Sequence, residues 1–227
     1  MNQIDVWFAR DEDWEHASWD EILSAEEKER RHHFLLEEDR RRYSLSHGML
    51  RTILGRMIGL PGWEVAIQAD DQGRPFLVPS SVLDFNLSHT KGLSVLAVVE
   101  NGRVGVDVER IDRPVATLLG SMSILTGREQ ADCLSLGEAD RARRFLSYWV
   151  MKESLLKASG EGLRRPLTEI EFEWSVDRPP IARMGIEAGQ AWSWALLESV
   201  PGFVIGLSAC CREIEIHLKP FVPATLL

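Results

Sequence analysis

Two long helical periodicities, each followed by short strand-like runs, constrain the fold more than any other property of this 227-residue sequence. From Arg42 the rows Leu45, Met49, Ile53, Met57 and Leu50, Leu54, Ile58 recur at every fourth residue. That is the apolar stripe of an amphipathic helix, here predicted to end at Gly59. Upstream, Ile4 to Ala9 reads as a strand, and Ser24-Ala-Glu-Glu27 has the spacing of a helix capping box. Strand candidates follow at Val65 to Gln68, Asp84 to Leu87, Leu93 to Val99 and Val104 to Glu109, separated by Gly, Pro and Asn turn signals. The order then recurs: a helix from about Asp140 to Ser159, and strands at Ile170 to Trp174, Trp192 to Leu197, Phe203 to Cys210 and Glu213 to Leu218. The expectation is an α+β chain of two similar subdomains, 1–110 and 111–227, with Asp112-Arg-Pro114 as linker.

With 44% hydrophobic and 27% charged residues, such a chain can bury a core without staples. No apolar stretch approaches the roughly 20 residues of a membrane span, and no basic lead-in precedes an apolar run, so a cytoplasmic protein with no membrane partner is expected. Cys133 and the pair Cys210-Cys211 have neither disulfide nor zinc spacing and read as buried, reduced thiols. The net charge of -9 excludes a generic nucleic-acid binder. Locally, residues 26–56 carry eight Lys or Arg against six Asp or Glu, enough to meet a small phosphorylated ligand.

Candidate chemistry begins at Gly105-Val-Asp107-Val-Glu109. Side chains alternate across a strand, so Val104, Val106 and Val108 can line a core while Gly105, Asp107 and Glu109 share the other face. Adjacent carboxylates suit Mg²⁺, although a solvated strand face accounts for the pair equally well. On the second helix, Phe145, Trp149, Glu153 and Lys157 fall on one i, i+4 row that begins aromatic and ends charged. Such a row either enters a cleft at Glu153 or ends as an ordinary surface Glu-Lys pair. Ser88 and His89 end a short strand where they could donate to phosphate oxygens, and Arg74 of Gln72-Gly-Arg-Pro75 sits on a turn where it could pair with phosphate.

The order of Gly-Arg-Pro (73–75), Phe-Asn-Leu-Ser-His (85–89), Gly-Val-Asp-Val-Glu (105–109) and Trp-Val-Met-Lys-Glu-Ser-Leu-Leu-Lys (149–157) resembles that of the 4′-phosphopantetheinyl transferases, in their long, surfactin-synthetase-activating form. The resemblance runs from about Ser24 to Gly162. It implies a monomer of two α+β subdomains related by a pseudo-twofold, with coenzyme A in the cleft between them. The implied reaction moves the 4′-phosphopantetheine arm of coenzyme A onto a serine of an apo acyl or peptidyl carrier protein. Mg²⁺ would be held by Asp107, Glu109 and Glu153. Glu153, Lys157 and His89 would be catalytic, and Arg30, Arg42, Arg74, Pro75, Ser88, His89 and Lys157 would hold coenzyme A. The 3′-phosphate would fall to Arg42 and Arg30, with the acid Glu27 where a base is usual. Val150 stands where a small residue is usual. Leu118, Leu119, Met122 and Leu125 are the implied carrier contacts, unless they belong to the core. Gly105 would leave room for a pyrophosphate and its metal. Two other functions suit the same acids: a homologue that binds coenzyme A or a carrier without transfer, and a Mg²⁺-dependent pyrophosphohydrolase acting on coenzyme A.

Overall fold

The computed structural model describes residues 2–14, 18–113, 122–175, 178–184 and 191–222. The first set of elements is β1 (Asn2–Arg10), α1 (Ala25–His32), α2 (Glu37–Ile58), β2 (Ile67–Ala69), β3 (Pro75–Leu77), β4 (Leu83–Thr90) and β5 (Leu93–Glu100). The second is β6 (Val104–Arg110), α3 (Gly127–Leu134), α4 (Glu138–Ser159), β7 (Glu171–Ser175), β8 (Arg178–Met184), β9 (Ser193–Leu197) and β10 (Phe203–Ala209), with β11 (Ile214–Pro220) to follow.

Pairing repeats with the order. β5 lies antiparallel between β1 and β4, and β10 lies antiparallel between β6 and β9. β2–β3 and β7–β8 are separate two-stranded pieces. β11 crosses back and runs parallel to β1 at the edge of the first sheet. By sheet membership the division therefore falls between β5 and β6, ahead of the 110/111 boundary read from the linker composition, because the hydrogen bonds of β6 go to β10.

Strand alternation produces the layers. Val95, Ala97 and Val99 of β5 face Val104, Val106 and Val108 of β6 across a shared core between the two sheets. Leu96 and Val98 point the other way, onto Met49, Leu50, Ile53 and Leu54 of α2. On the far side α4 covers the second sheet through Leu146, Val150, Met151 and Leu155. Val150 is fully buried there, so its larger side chain is accommodated as packing. α2 starts one turn before the apolar stripe, with Glu37, Glu38 and Asp39 in the first turn, where acids favour the helix dipole, and it stops at Gly59.

Each half also carries the same polar device. Ser24 caps α1 in a capping box with Glu27, and Thr126 caps α3 in a capping box with Glu129; both are 8-residue helices. Each capping acid takes a buried cation from the 22-residue helix that follows, Arg51 of α2 at 2.5 Å and Lys152 of α4 at 2.5 Å. Each cation also donates to two backbone carbonyls, those of Gly62 and Val65 for Arg51 and those of Ile124 and Leu167 for Lys152. The acid at position 27 is thus occupied in holding α1 to α2. Lys152 and Glu129 side chains are both 0% exposed, so their mutual attraction and hydrogen bonds must offset the loss of hydration.

Candidate active site

β4 and β6 are edge strands of different sheets, and side chains take the place of a ladder between them. Phe85 of β4 packs toward α2 while Asp84, Asn86 and Ser88 project the opposite way. Asp84 accepts from the Val104 amide at 2.8 Å and Asn86 from the Val106 amide at 2.9 Å, satisfying donors of an unpaired edge. The third residue of the series, Ser88, donates to Asp107 Oδ1 at 2.9 Å. The alternation of polar residues at 84, 86 and 88 is the signal by which the sequence could have marked this seam.

Asp107 sits on the α4 side of β6 and is 7% exposed. Lys157 of α4 reaches it: Nζ is 2.7 Å from Asp107 Oδ1, 3.1 Å from Ser88 Oγ and 3.1 Å from the Val106 carbonyl. One turn earlier Glu153 is half-buried, and burial, then the negative charge of Asp107, raises its pKa, with Lys157 opposing. The pKa of Glu109 is raised by burial as well, opposed first by Arg113, whose Nη1 lies 2.7 Å from Oε1. The row that runs from Phe145 to Lys157 therefore leaves the core at Glu153 and meets the strand acids. Among the described residues no three His, Cys, Asp or Glu stand close enough to enclose an ion as arranged. Two buried carboxylate oxygens, Asp107 Oδ2 and Glu153 Oε1, nevertheless have no partner among the described residues. Buried acceptors of that kind call for a donor or a cation.

Other predicted residues fall around this centre. His89 is exposed at the end of β4; desolvation, then the charges of Arg42 and Lys157, lower its pKa, so it is neutral at pH 7. Arg42 is pinned by Asp11 and Asp39 at 3.1 and 2.8 Å. It borders a cavity of about 850 Å³ whose wall includes Arg10, Lys91, Arg110, Ile111 and Phe203. Arg30 is exposed on α1 and shares with His89 an electrostatic influence on the half-buried His47, whose pKa desolvation brings down to about 4. Pro75, Asn86, Lys157 and Gly160 border a smaller cavity of about 180 Å³.

Four expectations change. Arg74 is 8% exposed, and its guanidinium is taken up by Asp84 Oδ2 at 2.6 Å, the Val104 carbonyl at 2.9 Å and the Lys157 carbonyl. A turn arginine read as a phosphate ligand is instead a buried clamp joining β4, β6 and the end of α4. Gly105 gives space to the helix and not to a ligand: a Cβ there would lie 2.0 Å from the Ser154 carbonyl oxygen, and one at Gly206 2.3 Å from that of Val150. Gly105→Ala should therefore cost about 1 to 3 kcal/mol by overpacking, read as a lower midpoint in thermal melting. Leu125 is 1% exposed and belongs to the α4 core, which excludes it as a carrier contact. Met122 is half-buried against the same core, and Leu118 and Leu119 lie outside the described residues. Of the cysteines only Cys133 is buried; Cys210 and Cys211 are partly exposed.

Acids, a lysine and a serine thus meet where the two sheets adjoin, within a repeated α+β fold. The chain matches the family model described as 4'-phosphopantetheinyl transferase superfamily over residues 103–208, and that of the 4'-phosphopantetheinyl transferase N-terminal region over 5–101. It is 34% identical over 183 residues to the 4'-phosphopantetheinyl transferase HetI of Nostoc sp., covering 79% of this chain and 74% of that one. The L-aminoadipate-semialdehyde dehydrogenase-phosphopantetheinyl transferase of Xenopus laevis is 28% identical, over 67% of this chain and 54% of its own length. The 4'-phosphopantetheinyl transferase Sfp of Bacillus subtilis is 26% identical, over 64% of each. A solved holo-(acyl-carrier-protein) synthase from Bacillus anthracis in complex with CoA (3',5'-ADP) aligns over 47% of this chain and 93% of its own, at 21% identity and TM-score 0.42. The chain belongs to the 4'-phosphopantetheinyl transferase superfamily. Among the described residues no helix is long and apolar enough to cross a membrane.

Proposed function

We propose that this protein transfers the 4′-phosphopantetheine group of coenzyme A to a serine of an apo carrier protein, releasing adenosine 3′,5′-bisphosphate. The observation that carries the reading is the meeting of Asp107 and Glu153, each with a buried oxygen lacking a partner among the described residues, beside Lys157 and Ser88. Such acceptors fit a hard divalent cation, and Asp107, Glu109 and Glu153 are the residues that would hold Mg²⁺. When bound, the ion neutralises charge on the pyrophosphate.

The chain's own groups divide the remaining work. Lys157 holds the carboxylate seam through Asp107, Ser88 and the Val106 carbonyl, and can meet a phosphate oxygen by exchanging one of these three partners. Neutral His89 can donate one N–H to a phosphate, and Arg42 and Arg30 take the nucleotide's 3′-phosphate. Glu153 is the candidate acceptor of the serine proton, directly or through water. In the step the serine oxygen bonds to phosphorus, the phosphoanhydride P–O bond breaks, the proton passes to the carboxylate and the bisphosphate leaves with the bonding pair. Incubation with coenzyme A, Mg²⁺ and apo carriers of the fatty-acid, polyketide and peptide-synthetase kinds should make at least one carrier heavier by one phosphopantetheine. No mass gain on any carrier defeats the reading, and bisphosphate release without carrier identifies a pyrophosphohydrolase instead.

A further inference from the structure

We propose that Asp11, the residue directly after β1, is a positioning residue for coenzyme A, acting through Arg42. The inference rests on the assignment of Arg42 to the 3′-phosphate. Asp11 Oδ2 accepts from Arg42 Nε at 3.1 Å and from the Gly92 amide at 2.9 Å, and the Asp11 amide donates back to the Gly92 carbonyl at 3.3 Å. One carboxylate thus fixes both the guanidinium and the turn that follows His89. Asp39 holds Arg42 Nη1 at 2.8 Å from the opposite side, and the Arg42 side chain is only 11% exposed.

With Nε and Nη1 committed, Nη2 is the edge of the fork that has no partner among the described residues. Asp11, Arg42, Lys91 and Gly92 all border the 850 Å³ cavity. A long, flexible arginine is thereby oriented before any anion arrives, which lowers the ordering cost on binding without adding a contact to the ligand. Asp11 carries no such signal in the sequence, because nothing in its spacing relates it to Arg42.

The test compares coenzyme A with 3′-dephospho-coenzyme A in the transfer assay, using the full chain as wild type, Asp11→Ala, Asp11→Asn and Arg42→Ala. Asp11→Ala should raise KM for coenzyme A roughly tenfold with kcat within about twofold. On the dephospho substrate its KM should match wild type. Asp11→Asn keeps an acceptor for the Gly92 amide and should show the same substrate dependence with a smaller increase, even if Asp11→Ala folds poorly. An equal penalty on both substrates overturns the proposal, since a merely structural defect is blind to the 3′-phosphate. If Arg42→Ala distinguishes the substrates and neither Asp11 variant does, Arg42 stands and Asp11 falls. If Arg42→Ala does not distinguish them, the assignment of Arg42 fails and the inference fails with it.

Discussion

Glu153→Gln should reduce phosphopantetheine transfer on the order of a thousandfold and, at the same time, raise the melting temperature of the metal-free protein at neutral pH. The two effects have one origin. Burial and the neighbouring Asp107 lift the Glu153 carboxyl above its ordinary value of 4.5. A carboxyl held above its unfolded value binds more protons when folded, so its contribution favours the folded state below pH 4.5 and is lost as pH rises through the lifted value. Glu109 has the same sign, with burial opposed first by Arg113. At pH 7 the charged Glu153 therefore works against the fold, and a neutral amide of the same shape relieves it. The gain should shrink as pH is lowered toward 4.5, where the wild-type carboxyl is itself protonated. Transfer assays and pH-resolved melting check both halves. Retained transfer removes Glu153 from the chemistry, and a lower midpoint at pH 7 means its charge is well compensated.

Lys152→Ala should have the largest effect on stability, a loss of about 3 to 5 kcal/mol, or roughly 6 to 20 °C in melting temperature. Removing the ammonium leaves Glu129 charged in a site with 0% side-chain exposure, and leaves the carbonyls of Ile124 and Leu167 without their donor. Glu129 would still accept from the Thr126 and Phe172 amides, so α3 keeps its cap while its buried tie to α4 goes and, of the polar contacts among the described residues, only those of Asp132 with Arg144 and Tyr148 remain. The double variant Lys152→Met with Glu129→Gln removes both charges and should recover most of the loss. A Lys152→Ala protein that melts like wild type would show that the ion pair contributes nothing net.

Most of this arrangement was legible where a period could be counted. The stripes of α2 and α4 and the alternation from Val104 to Glu109 come from rigid local geometry, so they located the helices, the core face of β6 and the three acids. Two strands and one helix escaped. β3 is 3 residues long, and β8 contains Pro179-Pro180, which argues against a strand. α3 has the same Ser/Thr-x-x-Glu signature that marks α1, in Thr126 to Glu129, and could have been found by it. What no period encodes is which charges meet across the chain. Arg74 reads as a solvent-facing turn residue until β4, β6 and α4 close around it, and Asp11 reads as an ordinary loop acid until Arg42 reaches it from a separate helix.

The return of β11 to β1 has a consequence for the order in which this protein can be made. β1 leaves the ribosome some two hundred residues ahead of its parallel partner at Ile214–Pro220. β6, which carries Asp107 and Glu109, likewise waits for β10 at Phe203–Ala209. The nascent chain must therefore hold two incompletely paired sheets until β10 and β11 have been made, with β1 and β6 open to misassociation. Ribosome-bound chains stopped before residue 203 should be protease-sensitive across both halves, and chains long enough to expose residue 220 should become resistant in a single step.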